Sequence, residues 1–364
     1  LTAAVCTARQ AIISHNHRGG FTMTLGHEKM HFLNTPTPIT KLDTISKELG
    51  INLYLKRDDL TNFGTGGNKL RKLEYLVKDA LDGGYTMLLT VGGAQTNHGR
   101  LTGAVAAKYG LKAAIIAVDP YPGEMSANLL LDGIMGCPVY LVQDDGVHTS
   151  AELEAAAIEK VTAEWEAKGE KVYFIPVGGS NELGILGYYD CACEIAKQTE
   201  EMGLSDVRVV STVGSMGTYM GMAVGIKNEK LPLRLTGIGI SPKPEGLIKA
   251  SLEYYAKVKD YFNLSLDMTA EDFDVTSDYD CGAYNNPVKE VREAIYYMGR
   301  KEAIILDPCY TGKTFAAILD MAKTGKIAQG ENVIMLHTGG IPGIYTKHHR
   351  VEMEKELLNY IHII

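Results

Sequence analysis

The sequence predicts an α/β protein of two domains built on parallel sheets, and three observations lead there. The chain has 364 residues, 45% of them hydrophobic and 22% charged, more than one hydrophobic core ordinarily holds. From about residue 35, short β-rich runs alternate with helical patterns, the sign of strand–helix–strand units. Four times a strand pattern runs straight into glycines and small polar residues: VGGAQTN (91–97), VGGSN (177–181), VGSMGT (213–218) and HTGGIPG (337–343). Ligands of open α/β sheets sit at the carboxyl ends of strands, so four such loops predict a crevice lined by backbone N–H groups.

The elements follow in order. INLYLKR (51–57) alternates apolar and polar residues and reads as a strand. A glycine loop then opens GTGGNKLRKLEYL (64–76), where Leu70, Leu73, Leu76 and Val77 recur at helical spacing. The runs TMLLTV (86–91), KAAIIAV (112–118), PVYLVQ (138–143) and KVYFIPV (171–177) are strands, with helices over 98–109 and 149–168 between them. A helix over 182–199 leads to the strands DVRVVSTV (206–213) and LRLTGIGI (233–240), and AIILD (303–307) and NVIMLH (332–337) complete the set.

Charge and composition exclude several classes. A net charge of -8 leaves no basic stripe for nucleic acid. Six cysteines (Cys6, Cys137, Cys191, Cys193, Cys281, Cys309) form no CxxC pair, which speaks against a disulfide framework or a zinc site and for a reducing compartment, the cytoplasm. No apolar run reaches the length of a membrane span. Residues 1–27 contain no Asp or Glu and begin with Leu, so residues 1–22 are read as a non-native remnant or disordered leader outside the fold.

Among the loops, VGSMGT is the best anion cup: Gly214, Ser215, Met216, Gly217 and Thr218 would aim N–H groups and a helix dipole at a phosphate. No glycine triplet with dinucleotide spacing follows a strand, so NAD is disfavoured. YTGKT (310–314) ends like a nucleotide-binding loop, but Asp307 stands where its first glycine is required. No HExxH pair is present, His348 and His349 read as solvated, and no metal is indicated. A GxSxG elbow is absent. Lys69, on a glycine-walled loop at a helix start, suits covalent amine chemistry, yet the segment alone better describes a solvated lysine.

The motifs GGNKLRKLEYL, VGGAQTNHGRLTGAVAAKYG, VGGSNELGILGY, DPCYTGKT and HTGG, in that order, resemble the pyridoxal-phosphate enzymes that include D-cysteine desulfhydrase and 1-aminocyclopropane-1-carboxylate (ACC) deaminase. The resemblance spans about residues 33–345, opening with TPTPITKL and KRDDLT. It implies the tryptophan-synthase-β-like fold (PLP fold type II), with two open twisted α/β domains, the cofactor in the cleft between them, and a homodimer. Residues 23–71 with 179–364 would form the large cofactor-binding domain and 72–178 the small one.

By the same resemblance, Lys69 holds pyridoxal 5'-phosphate as a Schiff base and moves the Cα proton. Lys72 helps the 214–218 loop bind the phosphate, and Asn97 lies beside the ring hydroxyl. Thr96 stands where the family has Ser and, with Asn97 and His98, grips the carboxylate of a small amino-acid substrate. Tyr284 and Tyr310 match two active-site tyrosines, candidates for general acid or substrate orientation. Thr311 takes the place facing the pyridine nitrogen, where the deaminase branch carries Glu; Thr338 and His98 also follow the desulfhydrase branch. A neutral hydroxyl makes a weaker electron sink, enough for β-elimination of a good leaving group and poor for opening a cyclopropane. The expectation is a carbon–sulfur lyase acting on D-cysteine, with ACC deamination as runner-up. GAYNNP replaces the approximate GYGxP of the desulfhydrase pattern, which keeps cysteate and other β-substituted amino acids as alternatives.

Overall fold

Two separate sheets take up the strands in the computed structural model, which describes residues 23–243 and 245–364; the leader assigned to residues 1–22 lies outside them. In chain order the strands are β1 (Ile39–Lys41), β2 (Asn52–Arg57), β3 (Met87–Val91), β4 (Lys112–Ala117), β5 (Val139–Leu141), β6 (Val172–Ile175), β7 (Val207–Val213), β8 (Leu233–Gly239), β9 (Asp274–Thr276) and β10 (Asn332–His337). The helices are α1 (Asp43–Leu49), α2 (Lys69–Asp82), α3 (Asn97–Tyr109), α4 (Ala127–Ile134), α5 (Ser150–Glu166), α6 (Leu186–Glu201), α7 (Gly217–Asn228), α8 (Leu247–Phe262), α9 (Lys289–Glu302), α10 (Thr311–Lys323) and α11 (Lys347–Leu357).

One sheet has the order β1-β2-β10-β7-β8-β9 and is parallel except for β1; the other, β5-β4-β3-β6, is parallel throughout. Parallel strands covered on both faces should read as unbroken apolar runs, and all five residues of β3 are buried. AIILD (303–307) is the one predicted strand that joins neither sheet. Its backbone finds side chains instead: Ile305 O accepts from His337 Nε2 at 3.2 Å, and Asp307 N donates to Thr311 Oγ1 at 2.8 Å. The edge strands β1 and β9, three residues each, are too short to leave an apolar run in the sequence. The helix expected from 182 starts at Leu186, because Asn181 Oδ1 accepts from Gly184 N at 2.8 Å and holds a turn there.

Helix α2 runs through the middle of the molecule. Leu70, Leu73, Leu76 and Val77 are all fully buried, as their spacing predicts, but so are Arg71, Lys72 and Glu74 between them. Helix α6 crosses α2 at Gly187, where a Cβ would come within 2.4 Å of the Arg71 carbonyl. Arg71 forks onto Asp58 (2.8 and 2.9 Å) and Glu194 (2.9 and 3.0 Å), and Lys56 also pairs with Glu194. On the opposite side, Glu74 Oε1 accepts from the N–H groups of Phe32 and Leu33 at 2.9 Å each. Asp190 receives Thr24 Oγ1 (2.6 Å), Lys29 Nζ (2.8 Å) and Tyr75 OH (2.8 Å). A strap over residues 24–33 is thus tied to α2 and α6.

Candidate active site

The glycine loop after β2 is pinned before the helix begins. Gly67 N donates to Thr61 Oγ1 at 2.7 Å, Asn68 N to Thr338 O at 3.1 Å, and Asn68 Nδ2 to Thr218 Oγ1 at 3.0 Å. These bonds deliver Lys69, the first residue of α2, to the wall of a cavity of about 370 Å³. Loops after β3, β6, β7, β8 and β10 form the rest of the wall, so the carboxyl ends of both sheets open onto it. Lys69 is half-buried, and removal from water pulls its amine down to about 8. Lys69 thus sits on a cavity wall and not on an outer face, which weighs against the solvated-lysine reading.

The loop read as an anion cup lies at the cavity: Gly214, Ser215, Met216 and Thr218 line it, Met216 holds φ +66°, and α7 begins just behind at Gly217, whose N–H bonds Ser215 O at 2.9 Å while those of Thr218 and Tyr219 are left without partners among the described residues. A Cβ at Gly217 would meet Ser180 Oγ at 2.5 Å and Lys72 Nζ at 2.8 Å, so only glycine fits this corner. Lys72 lies just behind the wall, fully buried, and donates to Gly178 O (3.1 Å) and Ser180 Oγ (3.0 Å); Ser180 in turn bonds Ser215 Oγ at 2.8 Å. Among the described residues no carboxylate pairs with Lys72. Burial and then Lys69 push its amine well below the ordinary lysine range. A buried amine beside free amides and without a carboxylate partner fits a phosphate group, whose charge would favour the protonated amine. Lys72→Met should therefore raise the melting temperature of the cofactor-free chain and weaken pyridoxal-phosphate binding roughly tenfold to a hundredfold, checked by thermal melts and equilibrium dialysis.

Opposite the cup, Thr96 caps α3 by accepting from Gly99 N at 3.2 Å, and Asn97 and His98 follow on the first turn. His98 is buried, bonds Thr90 Oγ1 at 2.9 Å, and is held neutral by burial and by Lys69 and Lys72. Tyr284, an exposed side chain, and Tyr310 share a 2.6 Å hydrogen bond between their hydroxyls at the cavity edge, and the loss of water around that bond raises both above the ordinary phenol range. Thr338 completes this side.

Thr311 is the expected wall residue that the structure does not bring to the cavity. It is fully buried, and its hydroxyl donates to Asp307 Oδ1 at 2.7 Å. Asp307, visible in the sequence only as a mismatch to a nucleotide loop, accepts from the N–H groups of Cys309, Tyr310 and Thr311 at 2.7–2.9 Å and so caps α10. His349 also departs from expectation: it is buried and bonds Asn285 Oδ1 (2.6 Å), while His348, exposed as expected, bonds Asn285 O (2.9 Å), the two bracing the turn after Tyr284. Lys313, unmarked in the sequence, ties that same turn to the end of β8 through the carbonyls of Ile240, Asp280 and Ala283 at 2.7–2.8 Å. Asn68 and Ser180 were missed as site residues, although both lie in glycine loops that signalled the crevice.

Comparison with known proteins agrees with this chemistry. Residues 31–339 match the family model described as pyridoxal-phosphate dependent enzyme. The chain is 39% identical over 319 residues to the "Putative 1-aminocyclopropane-1-carboxylate deaminase" of Pyrococcus abyssi, covering 87% of this chain and 92% of that one. It is 38% identical over 341 residues to the D-cysteine desulfhydrase of Yersinia enterocolitica, covering 90% and 100%. A crystal structure of an ACC deaminase homologue superposes with a TM-score of 0.79 at 35% identity, over 92% of this chain and 97% of its own. With a lysine amine near neutrality facing a counter-ion-free cup, and with these relatives, the chain belongs to the pyridoxal-phosphate-dependent enzymes of the ACC deaminase and D-cysteine desulfhydrase group, with fold type II architecture.

Proposed function

We propose that the protein is a β-elimination lyase that converts D-cysteine and water to pyruvate, ammonia and hydrogen sulfide. When bound, pyridoxal phosphate supplies the electron sink for the carbon from which a proton is taken. The chain's residues do the rest. Lys72, Gly217 and Thr218 hold the phosphate at the start of α7. Thr96, Asn97 and the first turn of α3 receive the substrate carboxylate, with His98 as a neutral neighbour. Lys69 Nζ takes the Cα proton, and its position on the cavity wall supports that role. The Tyr284–Tyr310 pair, protonated, supplies a proton to the departing sulfur.

What supports D-cysteine over ACC is a residue type and not a contact: Thr311 stands in the motif where the deaminase branch carries Glu, so that position supplies no carboxylate to keep a pyridine nitrogen protonated, and the Thr311 hydroxyl itself is committed to Asp307. The smaller domain over 72–178, a homodimer and a cytoplasmic setting belong to the same reading; among the described residues no helix is long and apolar enough to cross a membrane. A substrate panel tests it. D-cysteine should give sulfide and pyruvate in equal amounts, cysteate should give less sulfite, and ACC little 2-oxobutyrate. If 2-oxobutyrate is the main product, the assignment reverses.

A further inference from the structure

Asn97 presents one end of its amide to the cavity, and which end is decided two residues away. Arg100, fully buried on α3, donates from Nε to Asn128 Oδ1 at 2.8 Å and from Nη2 to Gly66 O at 3.2 Å in the Lys69 loop. A guanidinium can only donate, so the Asn128 atom facing it must be the oxygen. The other end of Asn128 faces the carbonyl of Gln95 at 2.7 Å, which can only accept, so that end must be the NH2. Asn128 is therefore oriented from both sides, and its backbone N–H adds a bond to Gln95 Oε1 at 2.8 Å. The same Nδ2 reaches Asn97 at 3.0 Å and accordingly meets Oδ1. Nδ2 of Asn97, beside Gly340, is left as a donor with no acceptor among the described residues, on a side chain that lines the cavity. Asp132, one turn from Asn128 on the buried face of α4, makes no hydrogen bond to Arg100, and burial pushes its carboxyl up to about 7.

We propose that Arg100 and Asn128 are positioning residues that force Asn97 to show an N–H, and never a carbonyl oxygen, to the ring oxygen of the cofactor, so that the site selects cofactor forms bearing the acidic 3-hydroxyl. This rests on the reading that Asn97 lies beside that oxygen. The polarity chain makes an unusual demand: at position 128 an acceptor is worse than nothing. In Asn128→Asp the carboxylate still takes Arg100 but draws the Asn97 NH2 away, turning a carbonyl oxygen toward the ring oxygen. Asn128→Leu removes the lock without supplying an acceptor.

The test is equilibrium dialysis of the cofactor-free full chain with pyridoxal phosphate and with 3-deoxypyridoxal phosphate. The parent should prefer the hydroxylated form by roughly tenfold or more, the scale of one charge-assisted hydrogen bond. Asn128→Asp should erase that preference while keeping its affinity for the deoxy form within about threefold, and Asn128→Leu should retain most of it. Equal loss in both variants would mean a merely structural role and overturn the inference. In the unmodified chain, where folding is not in question, the Asn97 side-chain amide protons should move downfield in the NMR spectrum with pyridoxal phosphate and not with the deoxy form; no difference overturns it as well. A parent that binds both forms equally would show instead that Asn97 does not face the ring oxygen, and the inference falls with that reading while the cofactor assignment stands.

Discussion

On the proposed reading, Lys69→Ala is expected to lower sulfide release from D-cysteine by on the order of 10⁴-fold, the upper range for losing a positioned base, because that reading gives the same amine the anchoring of the cofactor as well. The reason lies in where the glycine loop leaves this side chain. Three hydrogen bonds from Gly67 and Asn68 fix the residue at the head of α2, and the cavity removes enough water to bring the amine down to about 8. An ordinary lysine amine is almost wholly protonated at neutral pH and cannot take a proton. This one is divided between both forms. In the cofactor-free chain, competitive amine labelling at residue 69 should be slow below pH 7, rise through about 8, and level off above 9, since only the neutral amine reacts. Other exposed lysines should still be rising there. A variant keeping more than about one percent of parental turnover would remove Lys69 from the chemistry.

Arg71→Met is expected to cost about 3–5 kcal/mol of stability, because it leaves Asp58 and Glu194 as buried carboxylates without their bidentate partner. Asp58 is fully buried, so water cannot take the place of the guanidinium. The pH dependence distinguishes this from a packing loss. Burial alone would push the Glu194 carboxyl up; Arg71 and Lys56 overcome it and hold the group at about 2. A carboxylate with a depressed value stabilises the fold above its ordinary range near 4.5, and that stabilisation disappears as the pH falls toward 2. The parent should accordingly lose melting temperature steeply between pH 4.5 and 2. Arg71→Met should start lower and fall less, because its carboxyls already resemble those of the unfolded chain. Parallel slopes in thermal melts of the two proteins would show that the ion cluster contributes nothing through charge.

How much of this was legible depended on whether the determining contacts were local. The buried strands announced themselves through runs such as MLLTV and NVIMLH, and the four glycine loops marked the crevice because a strand end, a tight turn and a helix start are adjacent in the chain. The 214–218 loop was singled out for that reason, whereas Lys69 was singled out by its resemblance to a known motif, the segment alone favouring a solvated lysine. AIILD misled because apolar β-branched residues signal burial as strongly as they signal pairing, and its polar backbone is satisfied by side chains that an apolar run does not report, His337, 32 residues on, and the nearby Thr311. Lys313 and His349 act on Tyr284 through contacts 30 and 64 residues distant, to Ala283 and Asn285, and nothing near them in the sequence reports it. Asp307 was noticed as a misfit and turned out to be a helix cap. The motif order carried Thr311 to a position facing the ring, whereas in the structure its hydroxyl turns inward to that cap.

The strap over residues 24–33 constrains how the chain can be shortened. Trimming to residue 34 would delete both amide donors to Glu74 and two of the three groups on Asp190, leaving two acidic side chains beside α2 with nothing to neutralise them. A recombinant version beginning at Met23 keeps those ties, and one beginning a dozen residues later forfeits them, so the short segment ahead of the first strand decides whether the helix bearing the reactive amine is delivered intact.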